Sequence, residues 1–463
     1  MASERGLTFV NASNLDEFRN EHVRRIVRRR VMRDIGRARR KQKHPAVVTF
    51  VWQQLIASTA PVSLRKPCLD SHQLPFDTDP RARELIHFMN SEAEYKYRPF
   101  RKIWFSMALT DQSAFTLCMA NAAMFLEQTR HPETFRYERC EETLRYYGRC
   151  VEQVTDRLSD PVDSTSEGIL TTILGLICHD LYVGTLSRWE YHIRGLAEIV
   201  RIRGGIHDLP PNIQLFACWF DVLGSVVQDL PPRLPGFSAL LERSFKSAGQ
   251  QPRLLRDTIK EIRTSPIAIS ILVPVLEKAV DLFNFVNNQY LQRGFWKAED
   301  DTSPVELIGT LTHELLALPR ADYSKSNGYE VVREMTRLAL LILLSGLKAS
   351  YGFSAVEMTA LQKKFSWLTL EIRKLHEALP FQRLQLWCFL VAAILHPVGT
   401  KRSLYLEQIS LRMTSMNVPN GYGAIQAARD LLWIEVLASG DEITSLVSDI
   451  DNYNSGKDWR FFT

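Results

Sequence analysis

The residue pairs in this 463-residue chain best suited to proton transfer are two adjacent couples, His179-Asp180 and His207-Asp208. A carboxylate that orients an imidazole makes a general base. Neighbours on a helix, however, project about 100° apart and cannot orient one another in that way. Each histidine is therefore expected to be structural, with partners elsewhere. His-Glu-x-x-His, Gly-x-Ser-x-Gly, a Walker loop and Gly-x-Gly-x-x-Gly are all missing. No Asp, Glu and His cluster has the spacing of a metal site. The expectation is a chain that is not an enzyme and that uses no metal or cofactor.

Thiol chemistry has as little to start from. Seven cysteines stand at 68, 118, 140, 150, 178, 218 and 388. An odd, scattered set is a poor disulfide framework, and without a Cys-x-x-Cys pair neither a redox motif nor a zinc ribbon has ligands. Most lie in apolar stretches, so they are read as reduced thiols filling small core positions.

The remaining chemistry is electrostatic. Between Arg19 and Lys43 there are twelve Lys or Arg residues against Glu21 and Asp34, whereas residues 44–463 hold 44 bases and 47 acids. Almost all of the chain's excess positive charge sits in one short segment. On a helical wheel Val23, Val27, Val31, Ile35 and Ala38 share one side; Arg25, Arg29, Arg33 and Arg40 share the other, flanked by Arg28 and Arg39. Arginines four apart repel by a few tenths of a kcal/mol per pair, a cost an anion on the same face would relieve. Three readings compete. The helix could dock on the main body with a solvated arginine face. It could carry a nuclear-import signal with Arg37, Arg39, Arg40, Lys41 and Lys43 as its core. It could contact nucleic-acid phosphates, for which arginines on one face are suited, although base specificity needs more. A membrane surface fits less well, because the apolar face lacks Trp and Leu anchors.

These residues must be positioned by helices. Apolar residues make up 45% of the chain and charged ones 24%, the balance of an ordinary globular protein. Residues 14–43 read as one helix, with Asn14 as N-cap, Glu17 at the capping-box position and a stop before Pro45. Residues 45–79, with Pro45, Pro61, Pro67 and Pro75, read as a linker holding one short helix near Val48–Ile56. From Asp79 to the end apolar residues recur at three- and four-residue spacing, one stripe per helix; Ile169, Ile173, Leu174, Leu176, Ile177 and Leu181 are an example. Breaks are expected at Asp160-Pro161, Gly204-Gly205, Pro210-Pro211, Pro231-Pro232, Pro235-Gly236, Ser303-Pro304 and Pro419-Asn420-Gly421. No alternation long enough for a sheet occurs and no fixed repeat period is found. The predicted fold is all-α, an irregular multi-helix array over 80–463 with an internal boundary near 228–236. The N-terminus has no apolar stretch of a secretory signal, and the runs around Leu338–Leu344 and Leu386–Leu395 fall short of the roughly 20 residues of a spanning helix. Both read as buried helices, with no membrane partner expected.

Two stretches carry a family resemblance. Phe9-Val10-Asn11 followed by the basic helix from His22 to Arg40 resembles an opening segment of fungal proteins related to zinc-cluster transcription factors. The stretch from Trp189 to Ile206 is similar to the His-x-x-Gly-Leu … Val-x-x-Arg-Gly-Gly element of the fungal-specific transcription factor domain, here His192, Gly195, Leu196, Val200, Arg203, Gly204 and Gly205. The resemblance extends over roughly residues 80–300. It implies a nuclear transcriptional regulator, and it alone implies control of a metabolic or secondary-metabolite gene set. It also implies partners: DNA directly or through another factor, an import receptor, other proteins, and an effector between helices. The zinc cluster of such factors needs six cysteines with two Cys-x-x-Cys pairs, and these are missing here. The basic helix could substitute, a partner could bind the DNA, the cysteine-bearing exon could lie upstream, or the chain could be a helical scaffold that does not touch DNA. Physically, Leu196, Ile199, Val200 and Ile202 form a stripe, Trp189 and His192 sit one turn apart, and Gly204-Gly205 is expected to cap the helix in a left-handed turn. That makes these residues fixers of packing before binders of ligand.

Overall fold

The computed structural model describes residues 79–92, 100–236, 252–293, 302–321, 327–353, 355–374, 379–396 and 402–458. The basic helix read over 14–43, its cationic residues and the linker at 45–79 lie outside the described residues. Among those described, every regular element is a helix, as the spacing predicts, and no helix is long and apolar enough to cross a membrane.

Sixteen helices of eight residues or more build the described array: α1 Pro80–Ser91, α2 Arg101–Ala108, α3 Gln112–Arg130, α4 Glu141–Leu158, α5 Glu167–Val183, α6 Leu186–Ile202, α7 Pro211–Gln228, α8 Arg253–Arg263, α9 Val273–Arg293, α10 Ser303–Ala317, α11 Gly328–Ser350, α12 Met358–Ile372, α13 Gln382–Ile394, α14 Arg402–Ser415, α15 Gly421–Arg429 and α16 Gly440–Asp458. Their ends follow local chemistry. Asp79, Asp111, Ser166, Asn327 and Asn420 each accept a backbone N–H of the first turn, and Pro80, Pro211 and Pro304 stand where the first-turn amide needs no partner. The Gly and Pro clusters all fall between helices or at their first turn.

Packing runs through two hubs. α3 and α5 gather α1, α4, α6 and α7; α11 and α13 gather α10, α12, α14 and α15; α7 against α10 joins the two halves. One small cluster of buried side chains lies under α1, α2 and α3, and a second extends from Phe100 to Ile450. The segment 229–236 is fastened to helices on either side of it. Asp221 of α7 accepts the amides of Arg233 (2.6 Å) and Leu234 (2.7 Å), and the Leu234 carbonyl lies 3.0 Å from His313 Nε2 on α10.

Two helices depart from the single-stripe pattern. α5 buries Leu170, Thr171 and Thr172 as well as the predicted Ile169, Ile173, Leu174, Leu176, Ile177 and Leu181. It is packed between α3, α6 and α7, which cover most of its surface. α11 is buried from Val331 to Ser345 without a break. A buried helix should be apolar all round, yet α11 carries Arg333, Glu334, Arg337 and Lys348, each buried. Every one of them is paired. Arg333 donates to the Ala268 carbonyl at 2.7 Å, holding the single turn Ile267–Ser270. Arg337, 0% exposed, grips Asp229 at 2.7 and 2.9 Å and Glu334 at 2.5 and 2.8 Å. Asp229 ends α7 in a left-handed turn (φ 53°) and also receives Arg320 at 3.2 Å and Lys364 at 2.5 Å. Burial works against its ionisation, but the bonds from Arg337 and Lys364 hold its carboxyl below the ordinary value.

Removing Arg337 leaves buried Glu334 without its guanidinium and Asp229 held only by Arg320 and Lys364. Arg337→Ala is expected to lower unfolding free energy by about 3–5 kcal/mol in denaturant titrations. A cost below about 1 kcal/mol, the value of an exposed pair, would show that the cluster does not hold α7 to α11.

Candidate functional site

The stretch that carries the family resemblance folds as α6 and the turn after it. Trp189 is fully buried and donates its indole N–H to the Phe220 carbonyl at 3.1 Å. Its ring lies where a Cβ on Gly224 would be, 1.9 Å from the nearest ring atom, so α6 approaches α7 closely only because residue 224 has no side chain. The Arg233 guanidinium covers the indole 5.4 Å from the ring centre. Arg203 donates to the Thr165 carbonyl at 2.8 Å and ties the end of α6 to the start of α5. Gly204 and Gly205 close the helix as expected: both have positive φ, with Gly204 N–H bonded to Arg201 O and Gly205 N–H to Val200 O. Gly195 is half-buried on α6 with open space where a Cβ would stand, and nothing in the packing explains it.

The His-Asp couples separate as helical geometry demands. His179 faces α3 and α4, its Nδ1 2.7 Å from Asn121 Oδ1 and its Nε2 2.9 Å from the Tyr137 hydroxyl, with Tyr147 stacked on the ring at 4.9 Å. Asp180 turns the other way, to His192 Nδ1 at 2.8 Å and Arg188 Nε at 2.9 Å. A His–Asp pair therefore does exist, between residues 12 apart in sequence, and it joins α5 to α6. Asp180 and His179 are both sealed from solvent. His207 and Asp208 are exposed in the turn before α7.

A concave feature of the described residues lies elsewhere. A cavity of about 530 Å³ opens between α2, α5, α7 and the α11–α12 turn, within the range of small-molecule sites. On α7, Phe216, Trp219, Phe220 and Leu223 line it, residues at i, i+3, i+4 and i+7 and so on one face. α2 contributes Trp104, α5 contributes Cys178, Leu181 and Tyr182, and Phe100 stands beside α2. The rings brace one another: Phe100 stacks on Phe353 at 5.3 Å, Phe216 on Phe220 at 5.7 Å, and Trp104 meets Phe216 edge-on at 5.4 Å.

The far wall is set by the end of α11. Gly352 adopts φ 84°, so the chain reverses, with Gly352 N–H bonded to Ala349 O and Phe353 N–H to Lys348 O. That reversal brings Phe353 to Phe100 and Trp219. Among the described residues of the lining only Lys348 and Glu357 are charged, and they pair at 2.6 Å, with the Ser345 hydroxyl donating to the same carboxylate. Burial pushes the Lys348 ammonium below its ordinary value despite the opposing pull of Glu357. Cys118, Cys150 and Cys218 are buried thiols pushed up to about 12, hence protonated and unreactive at neutral pH. Among the described residues no group of His, Cys, Asp or Glu is placed to hold a metal ion.

Sequence reasoning singled out Trp189, His192, Arg203, Gly204 and Gly205, which the structure brings together as a packing element next to the cavity helices. An effector between helices is expected from the sequence, but the residues that line its cavity are not. The readable signal was the stripe Phe216, Trp219, Phe220, Leu223, in which three aromatics share a helix face; the other walls come from distant parts of the chain.

The described residues thus form an all-α array with a hydrogen-bonded aromatic lock beside an aromatic cavity. The chain belongs to the fungal-specific transcription factor domain family, whose model matches residues 86–432. Regulation of transcription is the function that goes with that family. Neither a search of curated proteins nor one of solved structures finds a match.

The His179 contacts have a measurable consequence. Burial, then the nearby Arg188 and His192, lower its pKa from 6.5 to about 3. The unfolded chain therefore binds this proton first, so the stability tied to a neutral His179 is complete above pH 6.5 and is lost as pH falls toward 3. Between those values the slope contributed is about 1.4 kcal/mol per pH unit. His179→Gln should flatten the acid limb of denaturant-derived stability by that amount; an unchanged slope would place the acid sensitivity in other groups.

Proposed function

We propose that the protein is a nuclear transcriptional regulator whose helical body responds to a small effector held in the aromatic cavity, and whose basic segment at residues 19–43 provides import and phosphate contact. The family match over residues 86–432 carries the regulatory part. The cavity, neutral and ringed by aromatics, supports the effector part. The concentration of twelve bases in 25 residues supports the last. Control of a metabolic or secondary-metabolite gene set fits an effector-responsive regulator. A scaffold that keeps the fold without touching DNA is the second reading, favoured by the lack of any Cys-x-x-Cys pair in the sequence.

A mobility-shift titration with generic duplex DNA separates the two. Direct contact predicts affinity that falls steeply with salt, by a log–log slope of about −0.9 per phosphate neutralised. Changing Arg29, Arg33, Arg39 and Arg40 to Glu should abolish the shift and disperse the tagged protein from the nucleus. No shift at low salt with folded protein would favour the scaffold.

The effector part is tested by filling the cavity. Ala349 is an exposed lining residue, so Ala349→Trp occupies the space with little cost to the core. In the native host, transcripts that respond to deletion of the protein should change at least about two-fold in this variant at equal protein level. Transcripts identical to wild type would remove the cavity from the regulatory mechanism.

A further inference from the structure

We infer that the cavity takes a neutral, flat aromatic compound bearing a hydrogen-bond acceptor such as a ketone, ether or hydroxyl oxygen; this rests on the effector reading above and names its ligand class.

Three observations lead there. The first is shape. Phe353, Phe100, Phe216 and Trp104 form an unbroken chain of ring contacts between 5.3 and 5.4 Å, and Trp219 joins Phe353 at 5.9 Å. Rings held by their neighbours offer fixed faces and edges, which suit a planar guest more than a flexible aliphatic chain.

The second is charge. Lys348 and Glu357 neutralise one another across 2.6 Å, and both are buried. A carboxylate entering the cavity would meet an ammonium already satisfied and a carboxylate of like sign. An ammonium would meet the reverse. Either guest would leave its water without a partner, which costs more than the gain from aromatic walls.

The third is the balance of donors and acceptors. Gln128 accepts the Tyr182 hydroxyl at 2.6 Å through its carbonyl oxygen. Among the described residues, its amide N–H groups have no acceptor, nor do the indole N–H groups of Trp104 and Trp219. These three lining residues carry donors with no protein acceptor and are not sealed from water, so a guest whose oxygen reaches one of them takes the place of water there.

The test is a matched series titrated calorimetrically into the full-length protein: 2-acetylnaphthalene, 2-naphthoate, protonated 2-(aminomethyl)naphthalene and 2-nonanone. The naphthyl ketone should bind one to one and at least about ten-fold more tightly than each of the others, a difference of about 1.4 kcal/mol. Ala349→Trp should weaken it by at least the same factor with an unchanged melting midpoint. Phe353→Leu, which keeps an apolar side chain in place of a ring, should weaken the ketone while sparing 2-nonanone. Equal or tighter binding of the anion, the cation or the aliphatic ketone overturns the assignment, as does no binding at all, or ketone binding that survives Ala349→Trp. If filling the cavity alters transcripts but the ketone does not lead the series, the ligand class is wrong and the effector reading stands. If the ketone binds in the expected order while transcripts ignore Ala349→Trp, the ligand class holds and the effector reading falls.

Discussion

The structure is organised by one constraint: α11 is buried along most of its length and carries charges that must find partners. A desolvated guanidinium or ammonium without a counterion or a hydrogen-bond acceptor would cost several kcal/mol. Each charge therefore specifies a neighbour. Arg337 needs Asp229, which fixes how α7 ends; Arg333 needs the Ala268 carbonyl, which places the turn before α9; Lys348 needs Glu357, which sets the turn into α12. Apolar contacts provide most of the stability of such a core but are tolerant of sliding. The charges pick one register among the packings that apolar area alone would allow.

The cavity is a by-product of the same arrangement. α7 is held at its C-terminal end by Asp229 and at its middle by the Trp189 indole bonded to Phe220 and set against Gly224. α11 is held at its far end by Lys348 and Glu357. With those points set, the aromatic face of α7 and the reversal at Gly352 stand apart by the width of a small molecule, and Phe100, Phe353 and Trp104 brace the space. Chemistry and architecture share residues here: the pair that orders the α11–α12 turn is also the pair that makes the cavity electrically neutral.

Much of this was legible in the chain. The helices with their Gly and Pro breaks, the cap at Gly204-Gly205 and the separation of His179 from Asp180 all follow from local geometry, in which residues within a few positions decide the outcome. The misjudged case is α5, which shows a clear stripe yet buries Thr171 and Thr172 on its other side too; the Thr172 hydroxyl hides its polarity by bonding to the Gly168 carbonyl within the helix and to Asp111 at the start of α3. Nothing in the neighbouring residues reports that a second helix covers them. The Asp180–His192 pair was out of reach for a related reason, since it depends on how α5 and α6 pack after the turn at Gly184.

By itself, then, the sequence determined the all-α class, the Gly and Pro breaks between helices, the concentration of positive charge in residues 19–43 and a family resemblance carried in part by the element around Trp189, which the family match bears out. These depend on periodicity, caps and composition, which act over a few residues. Which charge meets which, and that Trp104, Phe216 and Phe353 converge on a single cavity, were decided only in the tertiary structure. Phe353 is 137 positions from Phe216 and 249 from Trp104, and no local preference links residues so far apart. Their meeting is set by the burial of α11 and the pairing of its charges, which are properties of the packed whole.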